Sequence, residues 1–332
     1  MDEIITLDYG SGGKKTSELI DKLIVKNLKN DALAALGDGA VLSGAEKLVF
    51  STDSFVVSPI FFPGGDIGKL SVCGTVNDVA VSGGIPKYLS LSFIIEEGFA
   101  VCDLEKIIAS IKKTAEAAGV SVVTGDTKVV ERGRGDGIYI NTAGIGFLSH
   151  ANLSPKNLRE GDKILLSGTA GDHGAAVMLA RNKNLAEGEL LSDCAPLNGL
   201  CEKLYSLGEG LRVLRDPTRG GVATTLCEFV ENTSMCIELR ESDIPVAPGV
   251  ASACDMLGLD PLYCANEGKL LAVVAPECAD EALAIMKSTE EGKNAAIIGE
   301  VTLSRPGRVT VRGAFGARVV TKLTGALLPR IC

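Results

Sequence analysis

The sequence predicts an α/β (α+β) chain of two domains ending in a flexible arm. Three observations carry this. A length of 332 residues is enough for more than one core. Short apolar runs of strand type alternate with stretches of helical periodicity in both halves. The polar, proline-punctuated stretch LSHANLSPKNLREGD interrupts that pattern near residues 150–160. The expected units are 1–150, 151–312 and a detachable tail, 313–332.

In order along the chain, IITL at 4–7 reads as a short strand. A glycine loop follows, then a helix near 16–29 with Leu19, Ile20, Leu23, Ile24 and Leu28 at helical spacing. Strands are expected at 47–52, 55–61, 89–95, 120–124, 127–131 and 137–147, and helices at 66–82 and 102–118. The glycine-rich ERGRGDG is a hairpin turn. Its Arg134-Gly135-Asp136 is a cell-adhesion tripeptide, here read as coincidence. The second half predicts strands at 163–167, 269–274 and 296–301, and helices at 172–182, 196–207, 220–232 and 277–288. The tail, GAFGARVVTKLTGALLPRIC, carries three glycines and Pro329.

Composition narrows the function. Hydrophobic residues are 46% and charged residues 23%, with a net charge of −9, so nothing attracts nucleic acid electrostatically. A phosphate ligand must be held by local groups or metal ions. No apolar run is long enough for a membrane span. The start, MDEIITLDYGSGG, lacks the basic and apolar regions of a signal peptide, so a cytoplasmic setting with reduced thiols is expected. Ten cysteines form no CxxC, and His150 and His173 are the two histidines. Most of the cysteines suit a core; Cys332, the last residue, suits it least.

The loop DYGSGGKKTSELI puts Gly10, Gly12, Gly13 and Lys14 ahead of a helix, where backbone N–H groups can approach an anion. Alone it also reads as a tight turn capping a helix. Four aspartates in similar surroundings are stronger: Asp38 (GDGAVL), Asp53 (STDSF), Asp78 beside Asn77 (TVNDVA) and Asp126 beside Gly125 (TGDTK). Singly each fits a turn or cap. Together they point to a Mg²⁺–nucleotide site of hard oxygen ligands. Lys128 is expected to be buried and to hold a phosphate oxygen, or else to lie on a solvated strand edge. LRDPTRGGVA gives Asp216, Arg219 and a Gly-Gly pair opening a helix, suited to anion contact. Glu267 in YCANEGKLL is a candidate general base, its pKa raised by burial. His173, at a helix start, is open to a capping, packing or catalytic role.

These stretches resemble the HypE family of hydrogenase maturation proteins, in the superfamily of aminoimidazole ribonucleotide synthetase and selenophosphate synthetase. The likeness spans nearly the whole chain through YGSGGKKTSELI, DGAVL, STDSFVVSPIFFPGGDIGKLSVCGTVNDVAVSGG, VVTGDTKVVERG, SGTAGDHG, SDCAPL, RDPTRGG, DPLYCANEGKL and the terminal PRIC. The ending PRIC discriminates best, because sister families share the aspartates and not the ending. Tyr9 departs from the histidine frequent at that position. The glycine loop lacks the reactive cysteine usual in selenophosphate synthetase, which disfavours that alternative. A small-molecule kinase or a non-enzymatic thiol carrier are the other readings.

The resemblance implies a homodimer whose N-terminal domains share a β-barrel, with ATP and Mg²⁺ near the interface. Asp38, Asp53, Asp78 and Asp126 are then the metal ligands. The nucleotide is met by Gly10, Gly12, Gly13, Lys14, Asn77, Gly125, Asp216 and Arg219. It implies that the carbamoyltransferase HypF loads Cys332 and that ATP drives dehydration of the thiocarbamate to a thiocyanate. The cyanide passes to iron on a HypC–HypD complex. Lys128 is then expected to stabilise the γ-phosphate, and Glu267 to act as base with His173 behind it. The Cys332 thiol is expected to titrate high, beside the terminal carboxylate.

Overall fold

A computed structural model describes residues 2–37, 39–182, 190–323, 325, 328 and 330–332. Asp38 and Pro329, both singled out above, lie outside the described residues. The apolar runs of the first half pair as β1 (Leu48–Phe55), β2 (Gly84–Glu96), β3 (Ser121–Val130) and β4 (Ile138–Leu148), in the order β1-β4-β2-β3. β4 runs antiparallel to both neighbours, and β2–β3 is parallel. The first helical run opens as α1 (Lys14–Leu19), and that parallel pair is joined by helix α3 (Val101–Ala118), as a crossover requires. Leu104, Ile107, Ile108, Ile111 and Ala115 form its buried stripe. Gly119, in the left-handed region at φ 68°, ends it.

Helix α2 (Ile67–Val81) is started by Asp66, whose carboxylate accepts from the Gly68 and Lys69 N–H groups. It is apolar nearly all round and buried nearly all round, lying between the N-terminal sheet, α3 and α5 (Asn198–Leu204) of the second half. One face of the sheet is thereby covered. The opposite face leaves Leu48, Phe50 and Ile94 exposed.

The second half builds a seven-stranded mixed sheet from β5 (Lys163–Leu166), β6 (Leu211–Arg215), β7 (Cys236–Arg240), β8 (Leu271–Val274), β9 (Ala296–Thr302), β10 (Val309–Gly313) and β11 (Gly316–Val320). Their order is β11-β10-β7-β9-β5-β8-β6. Helices α4 (Asp172–Arg181), α6 (Gly221–Val230), α7 (Pro248–Leu257) and α8 (Ala279–Lys287) accompany α5.

Several expectations are corrected. Residues 4–7 form no strand beyond an isolated bridge from Ile4 to Ala100; Leu7–Gly10 is a 3₁₀ turn. Residues 120–124 and 127–131 fall in one strand, through Gly125. Beyond Phe55, 56–61 leaves the sheet, because Val56 and Ser58 give their N–H groups to the chain's own end. The tail is shorter than 313–332: β11 pairs antiparallel with β10, Val309 opposite Val320, so the arm begins after 320. β6, β7, β10 and α7 were not foreseen. The strands are short and carry charges, and the Pro-Gly opening of α7 reads as loop although proline fits a first turn.

Candidate active site around the chain terminus

The loop from β6 into α6 carries Asp216, Arg219, Gly220 and Gly221. Both glycines take positive φ, 79° and 61°. A Cβ on Gly221 would stand 2.4 Å from the Leu262 carbonyl oxygen, so only glycine lets this turn pass over the neighbouring segment. Asn266 ties the region together. Its Nδ2 donates to the Pro217 carbonyl at 3.1 Å, and its Oδ1 accepts from Gly171 N–H at 2.7 Å, at the start of α4. Glu267 follows directly. Asp193 fixes this turn by accepting from the Glu267 and Gly268 N–H groups at 3.3 and 3.0 Å.

The end of the chain lies inside the molecule. Val56 N–H donates to the Cys332 carbonyl and Ser58 N–H to the Arg330 carbonyl, both at 3.2 Å, so 330–332 runs antiparallel to 56–58. Ile331 is buried, and its carbonyl faces His173 Nε2 at 2.7 Å. A carbonyl only accepts, so Nε2 carries the hydrogen. Nδ1 therefore accepts from Ser192 Oγ, 2.8 Å away. Burial holds the His173 pKa down, keeping the ring neutral. His173 thus holds the tail through a neutral ring with both nitrogens engaged.

The Cys332 thiol is pushed up, first by burial and then by the Glu267 carboxyl. The expected direction holds; burial, rather than the terminal carboxylate, is its main cause. Arg219 opposes the rise, with Asp53 and Asp216 adding to it. Glu267 is 2% exposed, and its Oε1 has no hydrogen-bond partner. Burial, then Cys194 and three aspartates, push its pKa well up. Asp216 is pushed up to about 7 by burial and by Asp78. Asp53 and Asp78 are raised by burial too, Asp78 also by Asp53, while Ser51 Oγ–H donates to Asp78 at 2.7 Å. Arg219 forms no ion pair among the described residues. Its charge is felt by Asp53, Asp78 and Cys332.

The other predicted residues lie apart. Asp53 pairs with Thr142, Thr142 with Leu91, and Leu91 with Gly125. Asp126 is thus three strands from Asp53, roughly 14 Å at the usual strand spacing. It is exposed on the open face with Lys128, whose Nζ lies 2.6 Å away and holds the Asp126 carboxyl down. Lys128 is exposed, the solvated-edge alternative rather than the buried one, because positions 126 and 128 alternate onto the uncovered face. Within one chain, Asp126 stands apart from Asp53 and Asp78, and Asp216 is the carboxyl that lies near them.

A cavity of about 200 Å³ beside Asp126 is lined by Thr16, Leu36, Gly37, Gly39 and Gly125, together with apolar side chains from the first helical run. Gly10 backs onto β3, where a Cβ would meet Val129 N at 2.7 Å. Gly12 takes φ 78°, Gly13 precedes the helix Lys14–Leu19, and Lys14 is exposed. Asn77 is a strut: its Nδ2 donates to the Ala195 carbonyl at 3.1 Å and its Oδ1 accepts from Leu197 N–H at 2.7 Å. Asp193, Ser192, Asn266 and Arg181 were missed. Asp193, Asn266 and Arg181 meet backbone groups remote in sequence, and Ser192 meets the His173 ring, pairings that only the folded chain reveals.

Among the described residues, no three His, Cys, Asp or Glu side chains form a ready metal cage. Asp53, Asp78 and Asp216 nevertheless suit Mg²⁺. They are hard oxygen donors close enough to raise one another's pKa, and Mg²⁺ commonly binds through one or two carboxylates, phosphates and water.

The fold and site define a two-domain enzyme class. AIR synthase related protein, N-terminal domain, matches residues 36–148, and AIR synthase related protein, C-terminal domain, matches 159–312. The chain is 48% identical over 332 residues to carbamoyl dehydratase HypE of Bradyrhizobium diazoefficiens, covering 99% of this chain and 96% of that one. A solved structure of hydrogenase maturation protein HypE in complex with ATP matches with TM-score 0.95 and 46% identity, over 98% of this chain and 99% of that chain. The HypE chain of a HypE–HypF complex matches at TM-score 0.81 and 51% identity, over 92% and 99%. This chain belongs to the HypE family.

Proposed function

We propose that this protein is an ATP-dependent S-carbamoyl-cysteine dehydratase of NiFe-hydrogenase maturation, working on its own C-terminal residue. The observation that carries the reading is the Cys332 thiol, seated by three main-chain carbonyls beside the buried carboxyl of Glu267. A relative solved with ATP and another solved with HypF support the same reading.

The net step converts –S–C(O)NH₂ and ATP into –S–C≡N, ADP and phosphate. Oxide is a poor leaving group, so the carbamoyl oxygen must leave as part of phosphate, and the nitrogen gives up two protons. Glu267 is the proposed acceptor of a nitrogen proton; a raised pKa brings a carboxylate closer to the operating pH. Arg219, facing the thiol and the carboxylates, is the proposed cation for the transferring phosphoryl group, in the place first given to Lys128. Asp53, Asp78 and Asp216 would hold Mg²⁺, which when bound neutralises phosphate charge. Seating the tail gives the step the effective concentration of an intramolecular reaction.

In this reading HypF supplies the carbamoyl group and a HypC–HypD complex receives the cyanide. The open face of the N-terminal sheet, with Leu48, Phe50 and Ile94, is the proposed homodimer surface. Among the described residues no helix is long and apolar enough to cross a membrane. A reducing cytoplasm suits a carrier thiol.

Intact mass tests the reading. Incubation with HypF, carbamoyl phosphate and Mg²⁺–ATP should add one carbamoyl group and then remove one water, with neither change in Cys332→Ala. No mass change, with HypF shown active on a known acceptor, would overturn it.

A further inference from the structure

We infer that Asp136 is a positioning residue for this reaction: with Arg330 it forms a clasp that sets how long the thiol arm stays seated beside Glu267. The catalytic consequence rests on the carrier-arm reading above; the clasp itself does not. Most contacts holding the arm are to its main chain, and almost any residue could make them. The Arg330 and Cys332 carbonyls take the Ser58 and Val56 N–H groups, and the Ile331 carbonyl takes His173.

Two side chains make the seat specific. Ile331 is buried, and Arg330 spans the mouth. The Arg330 Nε donates to the Val56 carbonyl at 2.9 Å, and its Nη1 pairs with Asp136. To aim the guanidinium there, Arg330 adopts φ 50°, in the left-handed region that side chains other than glycine rarely enter. Asp136 stands in the exposed turn between β3 and β4, the stretch whose tripeptide resemblance has no other use here.

The geometry also needs a carboxylate at this point. Arg181 of α4 donates to the Arg330 carbonyl at 2.5 Å and to the Ser58 carbonyl at 2.5 Å, which brings a second guanidinium beside the first. The two cations oppose each other. Removing the Asp136 charge leaves Arg330 next to Arg181 without its counter-ion. The pair is exposed at the surface, so it can open without disturbing either core, and salt screens it.

The test is the alkylation rate of Cys332 by N-ethylmaleimide in the full chain, read on the C-terminal peptide by mass. Cys102, exposed on α3, is the internal reference. Asp136→Asn should label Cys332 about fivefold faster at low salt, the scale of an exposed charge pair. In 1 M salt the wild-type rate should approach that of the variant, and Asp136→Glu should restore slow labelling. Equal rates with equal salt response would overturn the clasp. With HypF and ATP, the variant should accept the carbamoyl group at least as fast as wild type but dehydrate it more slowly. A fall in both steps would mean general damage and also overturn the proposal. Faster alkylation with no carbamoyl gain in any variant would uphold the clasp and sink the carbamoyl reading instead.

Discussion

Two groups of carboxylates stand on opposite sides of the N-terminal sheet, and their protons behave in opposite ways. Asp53 and Asp78, joined by Asp216 and Glu267 from the second half, are buried together and pushed up. Asp126 lies in the open beside Lys128 and is held down. The local sequences STDSF, TVNDVA and TGDTK look alike. Burial and neighbours, rather than residue type, separate a site poised to take a cation or proton from a solvated ion pair.

The contrast can be broken most sharply at Glu267. Glu267→Gln keeps the shape and removes the base, so dehydration of carbamoylated Cys332 should fall by about 10²–10⁴-fold. Single-turnover mass spectrometry would read this, with carbamoyl loading by HypF unchanged. A smaller effect than tenfold would move the base elsewhere.

The open face offers the next test. Phe50 is 67% exposed. Phe50→Asp should convert a dimer to a folded monomer in sedimentation at micromolar concentration. A monomeric wild type, or a variant that remains dimeric, would remove this face as the interface.

Asp216 then separates the two groups by pH. Its folded pKa of about 7 exceeds the ordinary 3.8, so the folded state binds the proton more tightly than the unfolded state. Stability from this group is present at low pH and is lost as pH rises through that window. Asp216→Asn should therefore gain about 2 kcal/mol relative to wild type between pH 5 and pH 8, read by denaturant melts without nucleotide. Added Mg²⁺ should offset the wild-type loss. The smallest effect belongs to the outer pair: Asp126→Asn should change stability by less than about 0.5 kcal/mol. A large loss there would mean that the pair is not solvated as described.

Much was legible before folding. The helical spacing in 102–118 and the strand runs near 47–52, 89–95 and 137–147 each fell on a real element, because periodicity reports which face is buried. Asp53, Asp78, Asp216, Glu267, His173 and Cys332 were each singled out from local context, and they meet around one terminus. Lys128 stayed open between a buried and a solvated place because a strand's alternation does not tell which face a helix will cover. The start of the tail was placed too early because Gly313 and Gly316 hide the β10–β11 pairing.

The sequence by itself determined the α/β class, the absence of a nucleic-acid-like charge and the presence of a thiol at the chain's end. These depend on composition and short-range periodicity, which are fixed once residues are ordered along a chain. Only the tertiary structure decided that His173 holds a carbonyl, that Asp216 rather than Asp126 joins Asp53 and Asp78, and that Arg330 reaches Asp136. Each of those depends on pairing between segments distant in sequence and on how much water their packing excludes.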